Sequence, residues 1–63
     1  MNQIETETYI NDDNGLMEVR IDGDEVAIKY FTDGAETGSE IETLDRWNKF
    51  RLEREHDGWR RQS

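Results

Sequence analysis

A chain of 63 residues has room for one small domain and excludes a second core. Hydrophobic residues make up 32% and charged residues 38%, with sixteen acids against eight bases and a formal charge of −8. The lack of cysteine excludes disulfides, thiolate metal sites and thiol nucleophiles. No leader pattern or long apolar run marks export or membrane insertion, so a cytoplasmic domain with no membrane contact is expected.

Residues 4–10 place Ile4, Thr6, Thr8 and Ile10 on one face and Glu5, Glu7 and Tyr9 on the other. This alternation, rich in β-branched residues, predicts a strand. Asn11-Asp12-Asp13-Asn14-Gly15 is dense in turn formers. A second alternation over 16–21 opposes Met17, Val19 and Ile21 to Leu16, Glu18 and Arg20. Asp22-Gly23-Asp24-Glu25 reads as a tight hairpin connection into a third strand over 26–32. Pairing Ile21 with Val26 then sets Val19 against Ile28 and Met17 against Tyr30, stacking apolar pairs on one face. A two-residue Asp22-Gly23 turn would shift the pairs but keep the same face inward.

Residues 32–38, with two glycines, read as a loop before a helix over about 39–57. Ser39 and Glu42 have the spacing of a capping box, and Thr37 and Glu40 repeat it two residues earlier. Acids at the start and Arg46, Lys49, Arg51 and Arg54 toward the end suit the helix dipole. Gly58 supplies a stop. The wheel puts Ile41, Leu44, Asn48 and Leu52 on one stripe, with Trp47 on its flank. That stripe is expected to cover the sheet, and Phe50, lying away from it, either packs beneath the tail with Trp59 or is exposed at a contact. The predicted architecture is α+β: a three-stranded antiparallel meander with one C-terminal helix and a basic tail over 59–63, forming one domain over 1–63.

Signatures of catalysis are weak. His56, the single histidine, falls in the last helical turn, where it complements the dipole. Ser39 reads as a cap and Ser63 ends the chain, and the glycines stand apart rather than forming a phosphate loop. The acidic turns at 12–15 and 22–25 do not match a calcium-binding loop, and turn chemistry explains them. No enzyme activity, metal or cofactor is expected.

Charge segregation is the informative feature. Residues 1–45 hold thirteen acids against Arg20 and Lys29, giving −11, and residues 46–63 carry +3. Carboxylates on a small scaffold can imitate phosphates, so the acidic part suits a basic, nucleic-acid-binding surface of a partner protein. Small inhibitors encoded by phages and mobile elements act this way as a class, and the chain is similar to them in size and charge alone. The expected contacts are Asp12, Asp13, Asp22, Asp24, Glu25, Asp33 and Glu36. A direct nucleic-acid contact through the six C-terminal bases is disfavoured by the acids around them. The alternative is a structural or adaptor module, alone or as a homodimer, that uses the outer sheet face or the aromatics Phe50 and Trp59 and whose acidity reflects solubility or a salt-rich cytoplasm.

Overall fold

The computed structural model describes residues 4–62. Residues 1–3 and Ser63, the end of the expected basic tail, lie outside that range. The elements are β1 (Ile4–Ile10), β2 (Gly15–Asp22), β3 (Glu25–Thr32), β4 (Ala35–Thr43), α1 (Leu44–His56) and β5 (Arg60–Arg61). They form one antiparallel sheet in the order β4-β3-β2-β1-β5, with the helix on one face. The α+β class with an antiparallel sheet and a C-terminal helix is as the sequence predicts. The strand number is not: the described residues form five strands, not three.

The β2–β3 hairpin has the first of the two registers considered. Ile21 faces Val26, Val19 faces Ile28 and Met17 faces Tyr30. On the same inner face β1 contributes Tyr9, opposite Met17, and Glu7, opposite Val19. Tyr9, Met17, Val19, Val26, Ile28 and Trp47 are all but inaccessible to solvent and form the core. Trp47 meets Tyr9 edge to face, with ring centroids 5.9 Å apart, a favoured aromatic geometry.

The expected loop and first helical turn are instead strand β4. Asp33 and Gly34 have φ of 53° and 85°, the two positive values that a type I′ hairpin turn demands. Thr32 therefore pairs with Ala35, and the chain returns along β3 as far as Thr43 opposite Glu25. A register shift at Tyr30/Phe31 marks a bulge near the turn. Neither candidate capping box forms, because both lie within the strand. The helix starts at Leu44, where Thr43 Oγ1 accepts from the Arg46 N–H at 3.3 Å. The Asp24 carbonyl accepts from the Leu44 N–H at 2.8 Å and ties the helix start to the β2–β3 turn.

The helix also presents a different face. Trp47 is 1% exposed, Leu44, Phe50, Arg51 and Arg54 are half-buried, and Leu52 is 66% exposed. Ile41 is on β4, at 68% exposure, on the sheet face away from the helix, and Asn48 is exposed too. The inward stripe thus runs through Leu44, Trp47, Arg51 and Arg54, at helical spacing, with arginine stems as part of the cover. Phe50 and Trp59 both pack against the core. Gly58, with φ of 104°, ends the helix. The Trp59 and Gly58 N–H groups return to the carbonyls of Arg54 and Glu55, the paired bonds of a Schellman motif. This reversal aims the tail at the free side of β1, where Arg60 and Arg61 pair with Ile10 and Tyr9.

Candidate protein-binding surface

The hairpin turns fix where the acids stand. Asn11 Oδ1 accepts from the Asp13 and Gly15 N–H groups at 3.0 and 2.7 Å, an Asx arrangement that shapes the β1–β2 turn. The Asp33 N–H donates to the Asn14 carbonyl at 3.1 Å and joins this turn to the β3–β4 turn. Asp12, Asp13, Asp33 and Glu36 therefore gather at one end of the sheet. Asp22, Asp24 and Glu25 lie at the other end, in and beside the β2–β3 turn. Strands of eight residues separate the groups by about 25 Å at about 3.3 Å per residue. The seven expected contact residues thus form two acidic ends rather than one patch.

The sequence assignment of 39–57 as helix hid a further acidic element. Glu36, Glu40 and Glu42 lie on β4, which has no basic residue and pairs with β3 on one side only. Glu42 lies with Asp24, Glu25, Ile41, Thr43 and Arg46 around a shallow depression of about 470 Å³ at the β2–β3 end. Arg46 Nε is 3.7 Å from Glu42 Oε2. The pair spans the strand–helix junction, since Glu42 is on β4 and Arg46 on α1. Among the described residues, Asp13, Asp22, Asp24, Glu25, Asp33 and Glu36 have no basic side chain within ion-pair distance, whereas Arg60 reaches Asp12 at 2.9 Å.

Acids on the inner face are engaged by the protein itself. Glu7, 5% exposed, accepts from the Tyr9 hydroxyl at 2.9 Å, with Arg51 and Arg61 at 3.9 and 3.7 Å. Glu40 accepts from the Tyr30 hydroxyl at 2.7 Å, and Arg54 donates to that hydroxyl at 3.1 Å. Burial first, and then the hydrogen bond to a carboxylate, push both phenols up to about 12. These two Tyr–Glu–Arg groups flank the core and serve its stability. Alternating polarity signals neither, since it assigns Arg51 and Arg54 to solvent.

On the sheet's other face, Thr6, Thr8, Glu18, Arg20, Ala27 and Lys29 border a depression of about 370 Å³. It holds the only two bases of residues 1–45, with Glu18 opposite Lys29 in the ladder, so its charges are mixed. His56 is exposed at the helix end. Among the described residues no three histidine or carboxylate side chains come together as a metal site, and no helix is long and apolar enough to cross a membrane. Comparison with protein-family models, curated proteins and solved structures finds no match.

Proposed function

We propose that this chain is a non-enzymatic, acidic protein-binding domain that occupies a basic surface of a partner protein, one of the kind that binds nucleic acid. The observation carrying this reading is the division of labour among its acids. Glu7 and Glu40 are held by tyrosines and arginines, while among the described residues Asp13, Asp24, Glu25 and Asp33 are exposed and Asp22 is half-buried, with no basic side chain within ion-pair distance. Hairpin tips fixed by backbone and Asx hydrogen bonds present these charges at set positions, which favours steering toward a positive groove. An inhibitor or regulator that competes with nucleic acid would act this way.

An adaptor or homodimer is the second reading, favoured by the uncovered sheet face with Ile4 and Ile41 exposed. Phe50 and Trp59 are its weaker elements, because both are spent on the core. The test is a titration against a basic nucleic-acid-binding domain, with duplex DNA as the control ligand. Acidic docking predicts no DNA binding, and affinity for the basic domain that falls steeply as salt rises. It also predicts slower association when Asp12, Asp13, Asp22 and Asp24 become asparagine. Self-association that ignores salt would transfer the reading to the adaptor.

A further inference from the structure

The geometry points to the open edge of β4 as a docking site for an extended, arginine-bearing segment of a partner protein, added as a further strand of the sheet. This rests on the acidic-docking reading above and names how such a partner engages. β4 is the longest strand, nine residues from Ala35 to Thr43, and among the described residues no strand pairs with its outer side. A row of unpaired backbone donors and acceptors is the template for strand addition. No proline interrupts it, and its one register shift lies near the turn, which leaves Ser39–Thr43 regular.

The chemistry of the occupant is written on the opposite edge. There the chain's own Arg60–Arg61 adds to β1, and the Gln62 N–H donates to the Thr8 carbonyl at 2.7 Å. The two guanidinium groups reach along the edge to Asp12 at 2.9 Å and Glu7 at 3.7 Å. An acidic edge strand of this sheet is therefore already closed by an extended segment carrying adjacent arginines. β4 offers a second acidic edge with no resident among the described residues. On its inner side Glu40 and Glu42 alternate, and the contacts from Tyr30 and Arg46 engage one oxygen of each. On its outer side stand Ser39, exposed Ile41 and Thr43. The fitting segment carries arginine or lysine at every second position, facing the glutamates, with aliphatic or threonine side chains between. A second copy of β4 is a poor occupant, since the strand holds three acids and no base and each chain carries −8.

The test uses a short, end-capped peptide in which arginine alternates with valine, titrated into the full chain at low salt and followed by backbone amide shifts and hydrogen exchange. The expected result is perturbation and new protection along Ala35–Thr43. Ile41→Lys, a change at an exposed position, should weaken binding about tenfold or more, because an edge lysine opposes strand addition. A peptide alternating glutamate with valine should not bind. Shifts confined to the turns at 12–13 and 22–25, undiminished binding to the Ile41→Lys variant, or displacement of the tail from β1 would overturn the edge assignment and leave acidic docking standing. Absence of any binding to the arginine peptide would overturn both.

Discussion

The two edges of the sheet begin alike and end differently. β1 and β4 are both acidic edge strands, β1 through Glu5 and Glu7, and β4 through Glu36, Glu40 and Glu42. Gly58 turns the chain so that Arg60 and Arg61 close part of the first, while among the described residues no strand closes the second. Closure also brings Arg61 to the buried Glu7, which meets Tyr9 and the half-buried Arg51 as well. The difference shows how one sheet uses carboxylates in two ways. Where a basic strand is supplied in the same chain, acid contributes to stability. On β4, where none is supplied, Glu40 and Glu42 are met instead by Tyr30 of β3 and Arg46 of the helix, and Glu36 has no basic side chain beside it among the described residues.

The harshest way to break this comparison is to remove the platform that both edges share. Val19→Asp places an unpaired charge in a site 1% exposed, and Trp47→Ala empties the helix side of the core. Each should cost about 3–5 kcal/mol and abolish the cooperative thermal transition of so small a domain. Next in size is Glu7→Ala, which strands the Tyr9 hydroxyl and leaves Arg51 and Arg61 without their shared acid. A loss of about 1–3 kcal/mol is expected, read by urea unfolding, with faster exchange at the Gln62 amide as the tail loosens.

Alkaline titration sharpens the comparison, because each edge strand's carboxylate holds one of the protein's two tyrosines. Their phenols are raised from 10.0 to about 12 in the folded protein. The unfolded chain therefore releases these protons first. Their stabilising effect is intact below about pH 10 and is lost as pH rises through about 12. Phenolate absorbance should lag the unfolded chain's titration, and Tyr30→Phe should remove one of the two delayed steps. Smallest is Arg60→Ser, which breaks an exposed pair with Asp12 and should cost less than about 1 kcal/mol.

Much of the fold is legible in the residue order, for local reasons. Met17, Val19 and Ile21 against Val26, Ile28 and Tyr30 define the inward face of a hairpin and narrow its register to two choices, and Asp22 to Glu25 holds the turn. β4 is harder to read because Ala, Glu, Gly and Ser are poor strand formers, while Ser39 and Glu42 imitate a capping box. The overlooked signal was Asp33-Gly34, a hairpin dipeptide as telling as Asp22-Gly23. Once that turn forms, pairing with β3 outweighs the helical preference of residues 39–43. The buried arginine stems have no such signal, since Arg51 and Arg54 read as surface until the partners Glu7 and Tyr30 are in place. Asp12, Asp13, Asp22 and Asp24 are assignable to turns from sequence, whereas Asp33 and Glu36 read as a loop before a helix, and grouping the acids needs the sheet, whose strand length sets the two ends apart.

Among the described residues one acidic edge is closed by β5 and the other, β4, pairs on one side alone, a difference that native-state amide exchange of the free protein reads out. The account predicts a protected Gln62 amide and, along β4 from Ala35 to Thr43, alternation between protected amides facing β3 and fast-exchanging amides on the outer side. Uniform protection along β4, or a Gln62 amide exchanging as in an unstructured peptide, would contradict it.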